Sequence, residues 1–182
     1  MMKYRGQYRI ESTRLKGWDY SSAGFYNVTI CTKDKHPYFG SIEDGEVKFS
    51  SIGEIAERFW IDIPRHFSNV EIDEYVVMPN HVHGIVVIRS IDMSRVETPH
   101  VASLPEEGSR QFGPLKPGSL SKIIQGYKAA VTRQVRLMGK QDFAWQPRFY
   151  DHIIRNDEDL WRIRKYIQDN PIKWELDEYN IE

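Results

Sequence analysis

His81 and His83, separated by Val82 in the stretch Tyr75-Val-Val-Met-Pro-Asn-His-Val-His-Gly-Ile-Val-Val-Ile88, are the residues of this chain best placed to do chemistry. Side chains alternate between the two faces of a β-strand, so this spacing sends both imidazoles to one side and Val82 to the other. Two imidazoles one pleat repeat apart can share a divalent metal ion. The apolar residues on either side, Tyr75-Val-Val77 and Ile85-Val-Val-Ile88, predict the rigid sheet that such a site needs. The same pair is compatible with two partly buried histidines that merely hydrogen-bond to neighbours.

Tyr166 and Asn170 form a second pair. Four residues apart on a helix, they stack on one face one turn apart. An amide oxygen is a fair ligand for Mg²⁺ or Mn²⁺. With His81 and His83 it gives three protein ligands and leaves positions open for a substrate oxygen. A tyrosine hydroxyl beside such a metal can attack what the metal holds, which suits phosphodiester cleavage. Its ordinary pKa of about 10 calls for a nearby base or positive charge. On spacing alone, Tyr166 also reads as a surface aromatic and Asn170 as a helix stop before Pro171. Tyr150 is a rival nucleophile by residue type but has no ligand partner at helical spacing. His152 reads as support for the fold or for DNA.

The elements that must position these groups follow from pattern. Phe25-Tyr-Asn-Val-Thr-Ile-Cys-Thr32 is β-branched and aromatic, which predicts a central strand. Asp44-Gly45 predicts a tight hairpin turn within 39–49. Ser51-Ile-Gly-Glu54 reads as a capping box that opens a helix with Ile52, Ile55, Ala56, Phe59 and Ile63 on its buried face, stopped by Pro64. Val70–Val77 and Val82–Ile88 read as an antiparallel pair. Between about 90 and 117 periodicity is lost, which predicts a mobile loop inside one domain of residues 1–182. Gly118–Lys140 is helical, with Leu120, Ile124, Tyr127, Val131, Val135 and Met138 inward and Lys122, Lys128, Arg133, Arg136 and Lys140 outward. No acidic residue occurs from Lys116 to Gln141, so Lys122, Lys128, Arg133 and Arg136 are candidate phosphate contacts. Arg5, Arg9, Arg14 and Lys16 are scattered charges that read as solvated. Residues 143–152 read as aromatic and irregular. Asn156 caps a last helix with Leu160, Ile163 and Ile167 as its apolar stripe.

Bulk properties narrow the classes. At 182 residues the chain suits one domain with a real core. A net charge of −1 excludes a global basic field, so nucleic-acid affinity must come from a local patch. Aromatic residues make up 13%, enough to supply base-stacking groups as well as core. A single cysteine, Cys31, allows no internal disulfide and suits a reducing cytoplasm; it reads as a small apolar residue. No apolar run long enough to cross a membrane, and no signal peptide, is expected.

Taken together, Met-Pro-Asn-His-Val-His, then Trp145-Gln-Pro-Arg-Phe-Tyr-Asp-His-Ile-Ile-Arg-Asn156, then Tyr166-Ile-Gln-Asp-Asn-Pro171, resemble the single-tyrosine HUH transposases in content and order. The branch they most resemble is the REP-associated tyrosine transposases, and the resemblance runs from about Gly24 to Trp174. It implies that His81 and His83 bind a divalent metal, Mg²⁺ or Mn²⁺, that Tyr166 is the nucleophile forming a 5′-phosphotyrosine and freeing a 3′-hydroxyl, and that Asn170 completes the metal site. The mobile insertion-sequence branch typically carries Gln at that last position. The implied fold is α+β: an antiparallel β-sheet with helices on one face, related to the ferredoxin-like and RRM-like folds. The implied partner is single-stranded DNA beside a hairpin or repeat, with monomer or homodimer left open.

Three functions follow from these residues. The first is a metal-dependent transposase that nicks and rejoins single-stranded DNA, an endonuclease and strand transferase serving DNA recombination. The second is a sequence-specific DNA-binding protein on the same fold that no longer cuts. The third is a phosphodiesterase that uses metal-bound water, with Tyr166 structural.

Overall fold

The computed structural model describes residues 14–15, 17–90 and 116–180, together with the backbone of residues 3–4 and 7–8. The expected loop at about 90–117, all but its ends, and Arg5, Arg9 and Lys16 lie outside the described residues. Lys3–Tyr4 (β1) and Gln7–Tyr8 (β2) pair antiparallel. Then come Gly24–Cys31 (β3), a hairpin of Gly40–Glu43 (β4) and Glu46–Phe49 (β5), and helices Ser51–Ile61 (α1) and Ile63–His66 (α2). Strands Val70–Val77 (β6) and His81–Ile88 (β7), helix Leu120–Leu137 (α3), strand Tyr150–Ile154 (β8) and helix Asp157–Asp169 (α4) complete the order.

β6, β7, β3 and β8 lie side by side in that sequence, and every neighbouring pair is antiparallel. With the β4–β5 hairpin set aside, β3, α1, β6, β7, α3 and β8 give the strand–helix–strand–strand–helix–strand order of a ferredoxin-like fold. The α+β antiparallel architecture expected from the sequence is the one found. The strand β8 falls where residues 143–152 read as irregular. Its alternation, Tyr150-Asp-His-Ile-Ile154, is carried partly by polar residues and escapes a hydrophobicity reading.

β7 is buried along its whole length, so alternate residues need cover on opposite sides. One face, with Val28, Ile30, Val82 and Val86, packs under α1 and α3 through Ile55, Trp60, Ile124 and Val131. The other carries Ile85, Val87 and Ile154, which meet Ile163 and Ile167 of α4. Helices therefore lie on both faces rather than one, and among the described residues α4 is the one α-helix on the side that holds the histidines. Gly84 permits this layering: a Cβ there would stand 2.3 Å from the Trp60 ring, which lies directly over the strand.

Local rules set the boundaries. Asp44 and Gly45 take φ of 52° and 75°, the left-handed pair of a tight hairpin turn. The α1 cap is Ser50, one residue before the expected Ser51; its hydroxyl accepts from the Ile52 and Gly53 amides at 3.2 and 3.1 Å. Trp60 is fully buried on α1, while Phe59 is half-buried. Met138 lies past the end of α3 and is exposed, so it leaves the stripe expected of it. Arg14 is not a free solvated charge: its guanidinium bonds Asp151 of β8 at 3.1 Å and Ser121 of α3 at 2.7 Å.

Candidate active site

The register of β7 against β3 places His81 opposite Cys31 and His83 opposite Thr29. Both histidines point to the α4 side and both are buried. Burial disfavours the charged imidazolium, so it holds His83 down to about 4 and His81 well below the ordinary histidine value. Neutral imidazole is the form that ligates metals. Each ring has a partner on Nδ1: Asn80 Oδ1 at 2.8 Å for His81 and Thr29 Oγ1 at 2.8 Å for His83. Such contacts orient a ring and leave Nε2 for the site. The Nε2 atom of His81 is buried with no hydrogen-bond partner among the described residues.

α4 delivers the tyrosine. Asn156 Oδ1 caps it by accepting from Asp159 N at 2.8 Å, and acidic residues fill the first turn, where the helix dipole favours them. Ile163 and Ile167 seat one side of it on the sheet. Arg164 makes a two-pronged pair with Asp73 of β6, and Gln168 donates to Glu74 at 2.8 Å. Tyr166, thus placed, sets its hydroxyl 3.3 Å from His83 Nε2. Asn170 is the C-cap and keeps helical angles, φ −58° and ψ −44°, so the one-turn spacing from Tyr166 survives the following proline. It is buried, and its Oδ1 finds no partner among the described residues. Burial raises the Tyr166 phenol above its ordinary range; the Asp177 charge adds to this and an Asn170 hydrogen bond opposes it. By itself the protein holds this residue as the neutral phenol.

Asp177 belongs to the site although no spacing rule pointed to it. Its carboxylate and the His81 and His83 nitrogens offer ligand atoms within 4.8 Å of one another. It follows the 3₁₀ turn Trp174–Leu176, and its Oδ1 accepts from Tyr179 N at 2.7 Å. The same segment lays aromatic rings on the site: Tyr179 is 4.7 Å and Trp174 6.1 Å from His81, centroid to centroid. In the sequence, Asp177 is one acid among several in Glu175-Leu-Asp-Glu178, remote from both histidines.

Other expected residues fall elsewhere. Lys122, Lys128, Arg133 and Arg136 ride on α3, across the sheet from the histidines. Lys122, Arg133 and Arg136 are exposed, whereas Lys128 is half-buried and donates to the Gln146 main-chain carbonyl. Cys31 is buried, and desolvation pushes its thiol up to about 11, consistent with a packing role. Tyr150 is 53% exposed on the edge strand, opposite Thr29. His152 Nε2 lies 2.7 Å from Asp159 and ties β8 to the first turn of α4.

Two strand-borne histidines thus face a helix-borne tyrosine and asparagine on a ferredoxin-like antiparallel sheet, a fold shared with solved transposases. A solved REP-associated tyrosine transposase, bound to a REP hairpin, superposes with a TM-score of 0.58 over 91% of this chain and 74% of that one, at 19% identity. A Haemophilus influenzae protein described as a "putative REP-associated tyrosine transposase" is 26% identical over 85% of this chain and 74% of its own length. A second H. influenzae protein, described as uncharacterized, is 36% identical over 97% of this chain and 96% of its own length, and the chain belongs to one family with it. No family model matches. The resemblance to the REP-associated tyrosine transposases read from the three motifs is borne out. Among the described residues, no helix is long and apolar enough to cross a membrane.

Proposed function

We propose that this chain is a metal-dependent transposase that nicks and rejoins single-stranded DNA through Tyr166. The observation that carries the reading is the approach of Tyr166 Oη to His83 Nε2, 3.3 Å, with the unpartnered Asn170 Oδ1 one helical turn away. His81, His83, Asn170 and Asp177 would hold the ion. Two neutral imidazoles, an amide oxygen and a carboxylate suit Mn²⁺ or Mg²⁺, and the orphaned His81 Nε2 and Asn170 Oδ1 are buried acceptors that such an ion would satisfy. A bound cation supplies positive charge beside the phenol oxygen and beside a non-bridging phosphate oxygen.

The chain's own groups do the rest. α4 presents Tyr166 45% exposed, so a splayed single strand can reach it. Tyr166 Oη loses its proton and attacks phosphorus. The P–O3′ bond breaks, the 3′-oxygen takes up a proton, and the 5′-phosphate stays on the tyrosine. Attack by a 3′-hydroxyl on that phosphotyrosine reverses the step and rejoins a strand. Lys122, Arg133 and Arg136, on the far side of the sheet, would meet only DNA that continues past the site. The substrate class is a hairpin or repeat flanked by single-stranded DNA, and the whole chain acts as one domain.

The test is a denaturing gel of labelled hairpin DNA from repeats beside the chain's own gene, incubated with protein and Mn²⁺. A protein-linked band that is lost in Tyr166→Phe and His81→Ala is expected. Cleavage without a linked band would assign the attack to water instead. Binding with neither would leave a DNA-binding protein.

A further inference from the structure

Asn80 sits in the tight connection between β6 and β7, immediately before His81, and is buried to 2%. Its side-chain nitrogen donates to two main-chain carbonyls, Lys35 at 3.0 Å and Tyr179 at 2.8 Å. Carbonyls can only accept, so both amide protons are used and the group cannot be turned over. Its oxygen must then face His81 Nδ1, at 2.8 Å. An amide oxygen has no proton to give, so Nδ1 must carry one, and the Nε2 of a neutral His81 is left as a bare lone pair. That is the atom aimed, unpartnered, toward His83 and Asp177.

The His83 side lacks this compulsion. Its Nδ1 partner is the Thr29 hydroxyl, which can donate or accept and so dictates no tautomer. The Asn80 clamp is also expensive to build. The Lys35 carbonyl is presented by two successive residues in the left-handed region, Asp34 and Lys35, at φ of 54° and 55°. Such conformations cost free energy in non-glycine residues and persist only where surrounding contacts enforce them. The main-chain oxygen of Asn80 is itself held by Thr32, from its amide at 2.9 Å and its hydroxyl at 3.0 Å. Through Tyr179 the same amide anchors the segment that brings Asp177 to the histidines.

We infer that Asn80 is the positioning residue of the metal site, fixing the tautomer of His81 and tying the seat of Asp177 to it. The inference rests on the metal-binding reading above. Asn80 touches neither substrate nor ion.

The experiment is Mn²⁺ titration by calorimetry on the full chain, wild type against Asn80→Ala and Asn80→Asp, with the melting temperature of each metal-free protein. Outer partners of metal-ligating histidines typically govern affinity by about 10- to 100-fold, and Asn80→Ala is expected to lose that much. Asn80→Asp still accepts from Nδ1–H but no longer donates to the carbonyls. It keeps the His81 tautomer but unties the Tyr179 segment, so it should melt lower than wild type and bind Mn²⁺ more weakly than wild type, yet more tightly than Asn80→Ala. Equal Mn²⁺ affinity in wild type and Asn80→Ala would overturn the inference and leave the metal site standing. No Mn²⁺ binding by wild type would remove the metal site and this inference with it. Should Asn80→Ala not fold, nitrogen NMR of metal-free wild type decides: a bare Nε2 on His81 is expected, and a protonated Nε2 overturns the proposal.

Discussion

The hydroxyl of Tyr166 and the Nε2 of His83 stand 3.3 Å apart, so the proposed nucleophile leans on the nitrogen that a metal would need. A lone pair cannot serve a phenol proton and a cation together. An ion held by His83 would compete with the phenol for that lone pair, and its positive charge would lower the pKa of a nearby phenol.

Tyr166→Phe removes both the proposed nucleophile and that competition. The linked DNA product should fall by at least about 10³-fold, because phenylalanine has no hydroxyl to attack phosphorus. Mn²⁺ affinity, read by calorimetry, should equal or exceed that of wild type. A variant that lost both metal and product would mean that the hydroxyl itself is a ligand. Stability should change by no more than about 1 kcal/mol, since the ring is partly exposed.

Asn170→Ala and Asp177→Ala separate the proposed ligand on the helix from the proposed ligand that follows the Trp174–Leu176 turn. Each should weaken Mn²⁺ binding by about tenfold or more, as loss of an oxygen ligand or its support does. If Asp177→Ala binds Mn²⁺ as wild type does, the carboxylate serves only to hold the Tyr179 amide.

The metal-free protein should lose stability in mild acid. His83 is held at about 4 and His81 lower still by burial, against about 6.5 in an unfolded chain. Between those values the unfolded chain binds protons that the folded one does not, so stability falls as pH drops from about 6.5 toward about 4. Urea midpoints measured across that window check it. A His81→Asn, His83→Asn double variant should show a shallower decline.

Gly84→Ala should destabilise the fold by about 2 kcal/mol or more, because overpacking of a tight core costs on that order. The added methyl meets the Trp60 ring at 2.3 Å, and the strand segment that must shift is the one carrying His83. Chemical denaturation gives the stability change. Mn²⁺ titration of the folded fraction should show weaker binding than in wild type.

Neutralising Lys122, Arg133 and Arg136 together should lower the salt dependence of single-strand binding by about 0.7 in log–log slope for each phosphate that then goes unneutralised. Cleavage of a short substrate spanning only the scissile step should be unchanged, since these residues lie across the sheet from His81 and His83. An unchanged slope would show that α3 carries a solvated face and no DNA.

Periodicity carried most of the fold. The alternation before and after His81-Val82-His83 fixes which face each histidine takes, because the pleat repeats every two residues. The spacing of Ile163, Tyr166, Ile167 and Asn170 fixes one helix face for packing and an adjacent one for chemistry. The Asp44-Gly45 turn and the Asn156 cap were legible because their chemistry is local. β8 was not, because its identity as a strand depends on pairing with β3 rather than on its own apolar pattern.

Adjacency was beyond the reach of spacing. Nothing between residues 83 and 166 says that those two side chains touch; the antiparallel order β6, β7, β3, β8 and the packing of α4 on the histidine face decide it. Asp177 illustrates the same limit from the other side. Its place beside the histidines is set by one 3₁₀ turn and by the Asn80 amide holding the Tyr179 carbonyl. The sequence determined which groups could do chemistry and which way each strand or helix turns them, since those follow from near neighbours along the chain. Which groups share one space was decided only by tertiary structure, since it depends on how separate apolar faces find cover against each other.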